Sequence, residues 1–293
     1  MIASAPGKVI VFGEHSVVYG KHAVVSAIDL RCYAKVERRS GFRIASEFGV
    51  TELDFDGPHS YISHAIKRFS EVKKIDGVEV EIRSDVPPAS GLGSSASVTV
   101  SVLEALNAEF DADLERDEIF EIARKVELDV QGIGSGTDPF VVTFGGSWII
   151  PERKRFETEV EFSVIDTGER SITSEMVRRV RVLKERHPEI INPILEAMDS
   201  IAIKGADALK ENDAAKISEL FRLNQSLLRA IGVSTPTIDR MIADIEEEGH
   251  AAKITGAGGG GCLITTGIGD FRIKLSGEGV RVEDFEDWGE PDN

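Results

Sequence analysis

Apolar and polar positions along this chain keep two rhythms, and the changes between them mark its elements. Val78, Val80 and Ile82 alternate with Glu79, Glu81 and Arg83, a period of two that predicts a half-exposed strand. Residues 95–108 are rich in Ala, Val and Leu and lack Gly and Pro, which predicts a buried helix despite several β-branched residues. Ile119, Ile122, Ala123, Val126 and Val130 recur at i, i+3, i+4, i+7 and i+11, the spacing of a helix with one apolar face. Residues 160–165 read as a strand, and about four helical stretches fill 172–249. Thr235-Pro236 reads as an N-cap with proline at the first helical position, and Gly249 as the stop of that helix. A strand from Lys253, a glycine run and a second strand follow.

Length sets the scale: 293 residues predict about two domains with a substantial core. A boundary is expected from Gly145-Gly146 to Pro151, ahead of the charged stretch 152–159. The acidic end, 283–293, reads as frayed. The 51 acidic against 34 basic residues give a net charge of −17, which argues against non-specific nucleic-acid binding and for a soluble chain. Cys32 and Cys262 are too few for a disulfide framework or a zinc site and suit a reducing compartment. No apolar run reaches membrane-spanning length, and Lys8 stands inside the apolar part of the first residues rather than ahead of it. Neither a signal peptide nor a membrane segment is read, and a cytoplasmic location is expected.

Four segments carry chemistry. Residues 87–96 (Pro-Pro-Ala-Ser-Gly-Leu-Gly-Ser-Ser-Ala) lie between the predicted strand and the buried helix. Unpaired N–H groups at a helix start, two glycines without Cβ atoms and two adjacent hydroxyls make a place for phosphate. Residues 91–96 also fit G-x-G-x-x-A, a dinucleotide-binding pattern, and a tight turn capped by serine fits them equally. No G-x-x-x-x-G-K-[ST] occurs, which excludes a classical P-loop. In the second segment five glycines lie between Thr255 and Cys262, flanked by strand-like ends. A glycine loop so placed suggests close approach to a ligand or another loop rather than a linker.

The third segment, residues 5–15, reads as a short strand bounded by Pro6-Gly7 and Gly13, with Lys8 at its mouth and Glu14-His15 beyond. These polar residues suit either a solvated surface or a strand feeding a site. In the fourth segment Glu127 falls on or beside the apolar face of its helix, so its carboxylate needs a cation, an arginine partner or an outlet to the rim. A glycine-rich stretch, 132–136, then leads to Asp138 before Pro139, either a turn aspartate or a functional acid.

Together the segments resemble the GHMP kinases, which include galactokinase, homoserine, mevalonate and phosphomevalonate kinases. Residues 6–15, 87–96 and 253–262 match the family's three signature blocks in order, and the likeness covers nearly the whole chain. Within the family, residues 13–21 are most similar to the mevalonate kinase branch. The resemblance implies an α+β fold of two domains, an N-terminal ribosomal-protein-S5-domain-2-like unit over 1–150 and a ferredoxin-like unit over 151–293, with the site between them. It implies ATP-dependent, Mg²⁺-assisted phosphorylation of the C5 hydroxyl of mevalonate in isoprenoid precursor synthesis. Another small-molecule acceptor, such as phosphomevalonate or homoserine, and a non-catalytic ATP sensor are the alternatives.

Carried onto this sequence, the resemblance assigns Pro88, Ala89, Ser90, Gly91, Leu92, Gly93, Ser94, Ser95 and Ala96 to the ATP phosphates. It makes Ser95 and Glu127 the metal ligands, and Asp138 with Lys8 the catalytic pair. Lys8, Glu14, His15, Asp138 and Gly258 fall to the acceptor pocket, and glycines 256–261 shape that cavity and support the phosphate loop. Thr173 is either a holder of the acceptor's carboxylate or a plain helix cap. A homodimer is implied as well.

Overall fold

The computed structural model describes residues 1–132, 134–275 and 277–284. The acidic end read as frayed lies almost wholly outside them.

The first sheet is built on two long antiparallel strands, β1 (Ile2–Phe12) and β2 (Ala23–Arg38). β5 (Gly77–Ser84), the strand expected from the alternation at 78–83, pairs antiparallel with β2. β3 (Gly41–Ser46) runs parallel to β5, and β4 (Gly49–Thr51) closes that edge. The buried helix expected at 95–108 is α2 (Ser94–Phe110), laid across β1 and β2 and flanked by α1 (Ser60–Val72), α3 (Arg116–Gln131) and α4 (Thr137–Phe144). Val100, Leu103 and Leu106 of α2 fill one core with Val78, Val80, Ile119 and Val126.

β6 (Ser147–Ile150) pairs with β2, and β7 (Lys154–Phe156) with β6, so the sheet runs past residue 150. The chain also comes back to it. β12 (Arg281–Val282) pairs with β1, and just before it Val280 N donates to Thr143 O at 3.2 Å on the last turn of α4.

The second sheet holds β8 (Glu161–Asp166), β9 (Ala252–Ile254), β10 (Cys262–Thr265) and β11 (Phe271–Lys274) in the order β11-β8-β10-β9, all neighbours antiparallel. That is the strand order of a split βαβ unit, its first crossover enlarged to four helices and its second reduced to residues 266–270. The four are α5 (Thr173–Arg186), α6 (Pro188–Lys210), α7 (Ala214–Ala230) and α8 (Pro236–Glu247). Thr235 caps α8 as expected, its hydroxyl accepting from Ile238 N at 3.2 Å. A second core joins the two units: Val9, Val11 and Phe12 of β1 meet Phe162, Ala202, Phe221 and Ile264. β1 is therefore covered on both faces, which is why its residues are buried almost without alternation.

Two local expectations change. Pro6-Gly7 does not bound the first strand. The strand runs through it as a bulge, with a register shift between Pro6 and Lys8, and a bulge is where a strand tolerates proline. Asp138 is in the first turn of α4 rather than in an open turn. Pro139 fits there because its missing N–H belongs to a position with no intrahelical partner.

Candidate active site

The β1 bulge aims Lys8 across the start of α2. Its backbone N–H donates to Leu92 O at 2.8 Å, and its ammonium donates to Gly91 O at 3.0 Å. The same Nζ stands 3.1 Å from Asp138 Oδ2, with the lysine side chain 5% and the aspartate 34% exposed. Gly93 makes this possible: a Cβ there would stand 2.7 Å from Lys8 Cγ, and the residue adopts φ +81°.

α2 begins directly behind that glycine with no side-chain cap, so its first N–H groups face the cavity together with the side chains of Ser94 and Ser95. Ser90 is spent on the loop itself: its hydroxyl donates to Pro87 O at 2.7 Å and accepts from Leu92 N at 3.2 Å. The second glycine loop folds against the first, with Cys262 N donating to Ser90 O at 3.0 Å. Ser171 hydroxyl donates to Gly258 O.

Glu127 reaches the cavity from α3, where it accepts from Gly136 N at 3.1 Å. Gly134 leaves room for it, since a Cβ there would lie 2.2 Å from Glu127 Oε2. Burial, and then the neighbouring Asp138 carboxylate, push the Glu127 carboxyl up to about 7. Two carboxylates crowded in this way make a place for a hard cation. Among the described residues no group of three or more His, Cys, Asp or Glu could hold a metal ion.

The cavity between the loops has a volume of about 470 Å³ and is lined by Lys8, His15, Ala89, Ser90, Gly91, Gly93, Ser94, Ser95, Ala96, Glu127, Asp138 and Gly258, among others. His15 Nε2 donates to Ala257 O at 2.8 Å at its edge, and burial holds the imidazole below its ordinary pKa.

Three expected residues sit elsewhere. Leu92 is fully buried in the core and offers only its backbone. Pro88 lines a second cavity of about 690 Å³, which shares Tyr61, Ala89, Ser94 and Ser95 with the first. Glu14 turns away from the cavity into the core, where its carboxylate pairs with Lys253 and accepts from Asn224 Nδ2 at 2.9 Å. The partner that draws it inward is 239 positions away in sequence.

Sequence reasoning passed over Tyr61, Ser171 and Arg181, all of which line the first cavity. A signal existed for the last: Thr173, Val177 and Arg181 are spaced by four, and all three face the cavity from α5. Thr173 is the first residue of α5 rather than its cap, and its side chain caps nothing. The dinucleotide reading of 91–96 falls with the fold, because β5 lies between an antiparallel and a parallel neighbour rather than in a doubly wound parallel sheet.

Comparison with known proteins gives the same answer. Residues 60–146 match the model of the GHMP kinases N terminal domain, and residues 206–267 that of the GHMP kinases C terminal. The chain is 52% identical to the mevalonate kinase of Archaeoglobus fulgidus over 97% of its own length and 100% of that protein's. It is 37% identical to the mevalonate kinase of Pyrococcus abyssi, over 98% and 99% of the two chains. The crystal structure of the Methanococcus jannaschii mevalonate kinase superposes with a TM-score of 0.80 at 28% identity, covering 94% of this chain and 98% of that one. The chain belongs to the GHMP kinase family, the two-domain α+β kinases of small molecules.

Proposed function

We propose that this chain is a mevalonate kinase, transferring the γ-phosphoryl group of ATP to the C5 hydroxyl of mevalonate. Its likeness to mevalonate kinases over essentially the full length supports the acceptor. The observation that carries the chemistry is the position of Lys8 Nζ, 3.1 Å from Asp138 Oδ2 and 3.0 Å from the Gly91 carbonyl of the phosphate loop. A carboxylate, a cation and a helix start thereby share one cavity, the kit that phosphoryl transfer requires.

In this reading residues 88–96 and the first turn of α2 hold the triphosphate, and the nucleoside extends into the second cavity beyond Ser94 and Ser95. Asp138 accepts the hydroxyl proton as the acceptor oxygen bonds to the γ-phosphorus and the bond to the β-phosphate oxygen breaks, releasing ADP. Lys8 holds the Asp138 carboxylate in place and offsets charge on the transferring group. Ser95 and Glu127 would hold Mg²⁺, which neutralises phosphate charge when bound. His15 and Gly258 line the acceptor's side, and the exposed Arg181 guanidinium, with Thr173, meets its carboxylate. We take 1–150 and 151–293 as the two domains, the second lending β7 and β12 to the first sheet. No helix among the described residues is long and apolar enough to cross a membrane, and a cytoplasmic homodimer is the working picture.

The test is a coupled ADP-release assay with MgATP and mevalonate, phosphomevalonate, homoserine or galactose. Turnover with mevalonate above the other three is expected. Turnover of another acceptor in its place would overturn the assignment.

A further inference from the structure

Glu14 and His15 are adjacent, yet their side chains go opposite ways. The imidazole enters the cavity and bonds Ala257 O at 2.8 Å, while the carboxylate enters the core and pairs with Lys253. Both side chains of that pair have 0% exposure. Lys253 Nζ also donates to Ile254 O at 2.6 Å and lies 5.6 Å from the centre of the Phe221 ring. Asn224, fully buried on α7, completes the group by donating to Glu14. A dry ion pair adds little stability over an apolar replacement of the same shape, because both charges must leave water. Its use therefore lies elsewhere, and its location shows where.

Lys253 is on β9, four residues before Ala257, and Glu14 is one residue before His15. Both ends of the His15–Ala257 bond thus run directly out of the pair. His15 itself is held at φ +61°, a strained conformation for histidine that only its surroundings can maintain. A parallel tie lies alongside: Thr255 hydroxyl donates to Ile10 O at 3.1 Å. The phosphate loop has anchors beyond the pair, in Lys8 N to Leu92 O and Cys262 N to Ser90 O.

We propose that Lys253, acting through Glu14, is a positioning residue for the acceptor side of the cavity: the buried pair fixes the wall bearing His15 against the wall bearing Ala257, and leaves the nucleotide side alone. The proposal rests on the reading of His15 as an acceptor-side residue.

The test uses the full chain with Lys253→Met and Glu14→Gln combined, so that no lone charge is left buried. A cooperative melt and an unchanged circular dichroism spectrum establish folding. Affinity for a fluorescent ATP analogue is expected to stay within about twofold of wild type, while kcat/KM for mevalonate falls at least about tenfold. In ¹⁵N-histidine spectra the single Nε2–H tautomer of His15 gives way to a mixture. Wild-type kcat/KM with one His15 tautomer would overturn the proposal, and so would a loss shared equally by nucleotide affinity. If wild type does not turn over mevalonate, the functional reading fails, and the His15 tautomer still decides the positioning role. Should the double variant not fold, Asn224→Ala, which keeps both charges, is expected to loosen His15 in the same direction by about threefold in kcat/KM. An unaltered tautomer and rate there would count against the proposal.

Discussion

Two lysine–carboxylate pairs stand on either side of the same cavity wall and do different work. Lys8–Asp138 is open on one side, its aspartate 34% exposed to the space where ligands enter, whereas Lys253–Glu14 is wholly dry. In the open pair the lysine has a second anchor in Gly91 O, and the carboxylate keeps a face toward the cavity. In the dry pair both side chains are fully buried, so each charge meets only the other and its protein neighbours. The difference teaches that an ion pair's role is set by what else can reach it. Burial pulls the Lys253 ammonium down from its ordinary value against the attraction of Glu14, the mark of a group that exists by virtue of its partner.

The comparison breaks if the two pairs respond alike. Asp138→Ala should lower kcat by roughly 10²–10⁴-fold, the usual range for a positioned acid or base, with the melting temperature almost unchanged. Steady-state kinetics beside a thermal melt check both halves. Lys253→Met alone should do the reverse in kind, destabilising the fold by about 3–5 kcal/mol because Glu14 is left charged and buried, as read by urea unfolding. If Lys253→Met unfolds no more readily than Asp138→Ala, the contrast between open and dry is lost.

A third variant sharpens the open side. Arg181→Gln should raise KM for the acceptor by roughly tenfold with little change in kcat, as expected for a charge that binds ground state and transition state alike. The smallest effect concerns Glu127, whose carboxyl sits at about 7 in the fold against 4.5 ordinarily. The native state then holds this proton more tightly than the unfolded chain, so the stabilisation it brings is complete below about 4.5 and is lost as pH rises through 7. Metal-free Glu127→Gln should therefore match wild type near pH 5 and melt higher at pH 8. Melts that differ equally at both pH values would remove Glu127 from this account.

Much of the fold was legible because local signals were consistent. The alternation at 78–83, the periodic face from Ile119 to Val130 and the Thr235-Pro236 cap each stated their element outright. Pro6-Gly7 misled because proline reads as a boundary unless a bulge accommodates it, and the bulge depends on pairing with β2, which no local window contains. The site was legible where motifs are contiguous, as in 87–96, and where a polar residue sits awkwardly, as with Glu127. It was not legible for Glu14, since the direction of its side chain is decided by Lys253 at the far end of the chain. Tyr61 was hidden for the opposite reason: it is an ordinary residue on an ordinary helix, given meaning only by the cavity beside it, whereas Arg181 was marked only by its spacing from Thr173.

The returning strand β12 has a practical side. Because Val280 N bonds Thr143 O, the segment leading into β12 braces the far end of the helix whose first turn carries Asp138. Residues 280–282 thus tie the first sheet to the helix that carries Asp138, some 140 residues removed from it in sequence. A chain cut back to residue 278 loses both the strand pairing with β1 and the bond to the last turn of α4, so those few residues couple the sheet edge to the wall of the cavity.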